Sequence, residues 1–304
     1  MLLLYFFLVF LVYFFSPHAA YAWGPGAHLE YALYALSQAA VFAPAVRALL
    51  KKYPNDFLYG NLAADIIVGK KFAGELYHCH HWEVVLPLLE TAEDERQKTF
   101  MYGYLTHLSV DTVAHNYYVP YKIIRSFEAF TLRHTYWEMR YDLHMSPKVW
   151  DVMEDLAQGD YHRNDVLLAR SLKKALFSFK TTKRIFDSLL LIQRMKRWRH
   201  AAHVLARRST YDLSEESVRE YKNRCYDVAV DFLKNPSEAL AFKADPTGKL
   251  KLLYAKEMVT KLRKYTGRKI LSEEDARRLI GEIKNRLREG IYKPVELPDI
   301  YDAM

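Results

Sequence analysis

After residue 28 the chain sets apolar residues among polar ones at helical spacing nearly everywhere. In "ARRLIGEIKNRLRE", Ala276, Leu279, Ile280, Ile283 and Leu287 recur at steps of three and four, the period of one helical face. Ser272, with Asp275 three residues on, marks the start of that helix and Gly290 its stop. Alternating β-branched runs are scarce. Breaks are expected at Pro44, Pro54, Gly60, Pro87, Pro120, Pro147 and Gly159, where the turn-forming residues fall. The pattern predicts an all-α, multihelical protein without internal repeats or low-complexity linkers.

The first fifteen residues, "MLLLYFFLVFLVYFF", are uncharged and precede "SPHAAYA". There Ala20-Tyr21-Ala22 has the small-x-small form of a secretory cleavage site. The apolar run is short for a spanning helix, which needs about 20 residues. Residues 1–22 are therefore expected to be a signal peptide, leaving a secreted or periplasmic chain that begins at Trp23. The positive n-region is missing apart from the terminal amine, so a retained leader acting as a membrane anchor is the alternative. With 304 residues, 51% of them hydrophobic and 26% charged, the chain can bury a substantial core. A net charge of +8 points to an anionic partner: a membrane surface, a phosphate-bearing substrate or a nucleic acid. Cys79 and Cys225 are the only cysteines, too few for a disulfide framework.

Eight of the twelve histidines lie between His28 and His144, whereas Lys and Arg dominate from Arg163 onward. Residues 23–160 accordingly read as the reactive region, and 161–304 as a basic helical region packed on it or extending it. Within the latter, "KRIFDSLLLIQRMKRWRHAAHVLARR" is a basic amphipathic segment, suited to a solvated face or to anionic lipid.

In "GYLTHLSVDTVAHNYYVP", His107, Asp111 and His115 stand four apart. Each step of four turns about 400° around a helix, so the three form one drifting stripe. Their neighbours Leu105, Leu108, Val110 and Val113 are apolar, and a carboxylate buried there needs a partner. That partner is either the histidines or a metal ion. His134 and Glu138 repeat the i, i+4 arrangement, with Asp142 one turn further on. Upstream, Asp65 ends an apolar run, and "YHCHHWEVV" offers His78, Cys79, His80 and His81. Imidazoles mixed with carboxylates favour zinc over calcium or magnesium.

This ordered set, beginning at Trp23 and His28, resembles the zinc-dependent phospholipase C family, which is similar in fold to the single-strand-specific zinc nucleases. The resemblance covers roughly residues 23–145. It implies an all-helical fold, up to three zinc ions and a mature N-terminal tryptophan that binds metal through its amine and carbonyl. Trp23, His28 and Asp111 would then serve one ion. Asp65, His80, His107 and the bridging Asp111 would serve a second, and His115, His134 and Glu138 a third. His80 is chosen because Glu83 follows it by three, as in the family; His81 and, less well, His78 are alternatives. Asp65 would also be catalytic, orienting or deprotonating the attacking water. The four-residue step from Asp111 to His115 departs from the usual six and resembles the phospholipase-C-like domain of glycosylphosphatidylinositol-specific phospholipase D. The implied activity is phospholipase C-like hydrolysis of phospholipid head-group phosphodiesters. The alternatives are a single-strand nuclease, with Tyr117, Tyr118, Tyr136 and Trp137 as a stacking platform, and a non-catalytic membrane-associated zinc protein.

Overall fold

A computed structural model describes residues 23–66, 80–129, 134–171, 183–184, 187–188, 190–191, 196–207, 209 and 211–303. The expected leader, His78 and Cys79 lie outside the described residues, as do parts of the basic segment 183–208. Every long regular element described is helical, and no strand occurs among them. In order these are α1 (Pro25–Ser37), α2 (Pro44–Lys52), α3 (Pro54–Ala63), α4 (Trp82–Glu90), α5 (Glu95–Val113), α6 (Val119–Arg125) and α7 (His134–Asp142). There follow α8 (Lys148–Ala157), α9 (His162–Ser171), α10 (Lys196–Arg207), α11 (Glu215–Lys234), α12 (Lys249–Gly267) and α13 (Glu273–Glu289). No helix of the described residues is long and apolar enough to cross a membrane.

The centre of the fold is α5, which is buried at every position from Gly103 to Val113. Helices α3 and α11 pack against it, and α1 packs on both of those. Its buried hydroxyls find acceptors within their own helix. Thr106 Oγ1 donates to Tyr102 O at 2.7 Å, Ser109 Oγ to Leu105 O at 2.8 Å and Thr112 Oγ1 to Ser109 O at 2.6 Å. Such back-bonding lets a polar helix enter a core without orphaned donors.

Several expected breaks prove to be something else. Pro44 and Pro54 occupy first helical positions, where a missing N–H costs nothing. Gly60 lies inside α3, and its role is contact rather than a turn. A Cβ there would overlap the Phe100 carbonyl, and one at Gly103 would overlap the Phe57 carbonyl. The two glycines let the backbones of α3 and α5 touch. Pro87 sits inside α4, and Pro120 follows a π-helical turn, Ala114–Tyr118, that joins α5 to α6. Proline has no N–H to continue an α-helical ladder, and the wider turn carries the chain past it. At the C-terminal end, the Asp275 N–H donates to Ser272 Oγ at 3.0 Å and α13 stops before Gly290, as the sequence pattern predicts.

Lys122 is fully buried on α6, and its ammonium nitrogen makes no hydrogen bond. It stands 5.3 Å from the Trp137 ring centroid, 5.5 Å from Tyr121, 5.9 Å from Tyr221 and 6.0 Å from Tyr118. The rings attract a cation, but burial, helped by Arg125 and Lys284, pushes the amine down to about 7. The unfolded chain keeps this proton to about pH 10.4. Between those values the unfolded state binds more protons, so this group makes stability rise with pH, with no further effect below that window.

Two outcomes are expected from denaturant midpoints. Gly103→Ala should destabilise the fold by about 1–3 kcal/mol, because α5 must move away from α3. Lys122→Met should be more stable than wild type at pH 6, by about 1–3 kcal/mol. That advantage should shrink as pH rises toward 10; an advantage constant with pH would exclude a titrating amine.

Candidate metal centre

His107 and Asp111 lie one turn apart on α5, fully enclosed by it and its neighbours. Unlike the hydroxyls, their side chains are met from other parts of the chain. Asp65 enters from the turn closing α3, where its N–H donates to Leu62 O at 3.2 Å. His80 enters two residues before α4, and His28 comes from the first turn of α1. His107 is oriented from behind, because its Nδ1 lies 2.7 Å from the Asn61 carbonyl oxygen. A carbonyl can only accept, so Nδ1 carries the proton and Nε2 turns its lone pair toward the cluster.

Three donors converge, Asp65 Oδ1, His80 Nε2 and His107 Nε2, and Asp111 Oδ2 stands against the two imidazoles. His80 lies 3.3 Å from Asp65, 3.5 Å from Asp111 and 3.3 Å from His107. His107 lies 3.8 Å from Asp65 and 3.2 Å from Asp111. A tetrahedral zinc with ligands at about 2.0–2.1 Å would space its donors about 3.3–3.4 Å apart. The other oxygen of Asp111, Oδ1, is 3.4 Å from His28 Nε2. His28 stacks on His107 with centroids 3.6 Å apart, which brings His28, His107 and Asp111 together as a second group of possible donors. Asp111 thus presents one oxygen to each group.

The donor chemistry suits a cation. Two carboxylates and three imidazoles share a nearly water-free volume, and neither oxygen of Asp111 nor either nitrogen of His28 makes a hydrogen bond. Burial, and secondarily His107, holds the His28 imidazole well below its ordinary value, so it is neutral and can donate a lone pair. Buried carboxylates in such numbers are sustained by metal coordination or by strong pairing. The donor set fits zinc.

Trp23 is held by its indole. The ring is fully buried, Nε1 donates to Val110 O at 3.2 Å, and it stacks on Tyr118 at 4.6 Å and Tyr141 at 4.2 Å between centroids. Its anchor is therefore the residue adjacent to Asp111. Asp142, expected as a further acidic neighbour of Glu138, instead caps α1. It accepts from Gly26 N–H at 3.1 Å and Ala27 N–H at 2.9 Å, and any Cβ on Gly24 would overlap its carboxylate. The Gly-Pro-Gly stretch is thus the space in which that carboxylate sits.

His115 lies in the π-helical turn and is buried, as is Glu138 on α7. Neither joins the two donor groups found among the described residues, and the side chain of His134 lies outside them. His115 Nδ1 is 2.5 Å from the Pro246 carbonyl oxygen, so that nitrogen donates and Nε2 is the one left for coordination. Pro246 could not have been found from sequence, because a backbone carbonyl 131 residues away carries no motif. The Asn61 carbonyl escaped for the same reason.

His81 precedes α4 as a partly exposed N-terminal flank, outside both groups. Tyr117, Tyr118 and Trp137 are fully buried and offer no face to a base; Tyr136 is partly exposed and packs edge-on against Trp137.

A family model described as zinc dependent phospholipase C matches residues 27–186. Comparisons with curated proteins and with solved structures gave no match. The matched region holds the whole of the donor cluster built above, from His28 through Asp65, His80 and His107 to Asp111. Because it also spans more than half of the chain, this protein belongs to the zinc-dependent phospholipase C family.

Proposed function

We propose that the protein is a zinc-dependent phosphodiesterase that cleaves phospholipids on the glycerol side of the head-group phosphate. The observation that carries this reading is the convergence of Asp65, His80 and His107 on one another, with one oxygen of Asp111 against both imidazoles and the other directed at His28. The first four residues would hold one ion. His28 and Asp111, with the backbone amine and carbonyl of Trp23, would hold a second. His115, His134 and Glu138 would hold a third. Zinc bound here supplies a water acidic enough to be hydroxide near neutral pH and positive charge for the phosphate oxygens.

The chain's own groups divide the remaining work. Asp65 has the most accessible of the two clustered carboxylates, 9% exposed against 1% for Asp111. It stands where a water could reach it and is suited to orient that water or take its proton. Asp111, sealed inside, supplies charge without meeting solvent. Asn61 holds the His107 ring, and burial keeps His28 unprotonated. With the imidazoles and carboxylates of the cluster engaged as ligands, direct attack by water is the simplest route.

Export completes the proposal. Cleavage after Ala22 would free the Trp23 amine while the indole anchors it beside Val110. A phospholipid is favoured over single-stranded nucleic acid because the burial of Tyr117, Tyr118 and Trp137 removes most of the expected stacking platform.

Zinc content should separate the histidines. In protein whose intact mass gives a Trp23 terminus, His80→Ala should lose at least one zinc per chain, whereas His81→Ala should keep the wild-type content. The reverse result would move the ligand to His81. For activity, zinc-loaded wild type should release phosphorylated head group and diacylglycerol from phosphatidylcholine or phosphatidylinositol, and leave single-stranded DNA intact. Asp65→Asn, checked for retained zinc, should lower kcat by about 100-fold or more. Neither product from either lipid, or cleavage of the DNA alone, would sink the phospholipase reading.

A further inference from the structure

The loop entering α12 touches both flanks of the donor cluster. Trp82, two residues after His80, donates its indole N–H to Ala244 O at 2.9 Å. His115 donates to Pro246 O, and Asn116 Nδ2 donates to Asp245 O at 2.7 Å. Gly248, at φ 56°, packs so closely on the His115 backbone that a side chain would overlap it. The Asp245 carboxylate is occupied within the loop, accepting from Thr247 N at 2.8 Å and Lys249 N at 3.1 Å. This segment lies beyond the region matched by the family model.

Directly after it, α12 buries Ala255, Met258 and Leu262 and turns the opposite face outward. That face carries Leu250, 76% exposed, and Leu253, 52% exposed. Lys249 and Lys256 flank the pair and are exposed, as is Lys243 just before the loop. Glu257 is the exposed acid on the same turns. Leu250 is the most exposed of the large hydrophobic residues described. Adjacent leucines flanked by lysines suit a bilayer surface: the leucines enter the acyl boundary while the lysines reach lipid phosphates.

We propose that Lys249, Leu250, Leu253 and Lys256 form a docking surface for anionic lipid bilayers, which seats the protein on its substrate beside the metal centre. The proposal rests on the phospholipase reading for its purpose but not for its test. Three zinc-loaded full chains with the same N-terminus by intact mass are compared: wild type, Leu250→Asp/Leu253→Asp and Lys249→Glu/Lys256→Glu. Co-sedimentation is measured with phosphatidylcholine vesicles, with and without phosphatidylserine, and hydrolysis is measured on a short-chain phospholipid below its micelle concentration. The leucine pair should weaken vesicle partitioning about tenfold or more on both vesicles. The lysine pair should do so chiefly when phosphatidylserine is present. Monomeric substrate should be hydrolysed within about twofold of wild type by all three, since none of the four residues is assigned to the catalytic machinery. Wild-type partitioning by the leucine variant overturns the proposal. So does a wild-type dimer that the same variant dissolves, with no vesicle binding by either chain. Absence of hydrolysis in every chain overturns the catalytic reading alone, because partitioning still decides the surface.

Discussion

The burial of α5 on every side from Gly103 to Val113 is the constraint from which the rest of the structure follows. A helix so enclosed can keep polar residues only if each is answered. Thr106, Ser109 and Thr112 are answered by carbonyls of their own helix. His107 and Asp111 are not: an ionised carboxylate has no hydrogen to give a carbonyl, and His107 turns its Nδ1 to the Asn61 carbonyl of a neighbouring helix. Their partners must come from elsewhere, and Asp65, His80 and His28 do so. The result is two negative charges in a volume with little water, a situation that a divalent cation relieves better than any arrangement of the same side chains.

Closeness of backbones makes the cluster possible. Gly60 and Gly103 let α3 and α5 meet without intervening side chains, and that meeting sets the Asn61 carbonyl against His107. Asp65, one turn beyond Asn61, then faces the same stripe. The N-terminal segment is located independently, through an indole buried among tyrosines and an aspartate from α7 that caps α1. Export and site assembly are coupled through this segment in the proposed function, because the amine that would bind metal exists only after cleavage. The C-terminal region contributes as well, since the loop before α12 orients His115 and touches Trp82. What looks like a basic appendage in the sequence reaches the rim of the centre.

The same packing bears on the choice of substrate. An aromatic-rich sequence suggests base stacking, but the rings around α6 and α7 stack on one another, on Trp23 and around Lys122. They stabilise the scaffold and are closed to a ligand. Exposed apolar surface appears instead at Leu250 and Leu253, the face proposed above to meet lipid.

The all-α class was legible because hydrophobic periodicity is a property of neighbouring residues, as in the Ser272-to-Gly290 helix. The His107-Asp111 pair was legible for the same reason: a step of four fixes a shared face before any tertiary contact forms. Position along the chain does not say which residue approaches from afar. Gly60 and Pro120 carry turn signals, yet one is a helix-crossing contact and the other follows a widened turn within a continuous helical run. His80 and His81 are adjacent and chemically identical, and only the direction of the chain entering α4 turns the first inward. Asp142 shares the spacing of a ligand but answers the open end of α1. The carbonyls of Asn61 and Pro246 have no side-chain signature at all. The sequence determined the donors available and their local faces; the tertiary structure decided which of them converge, because convergence depends on how closely distant backbones can approach.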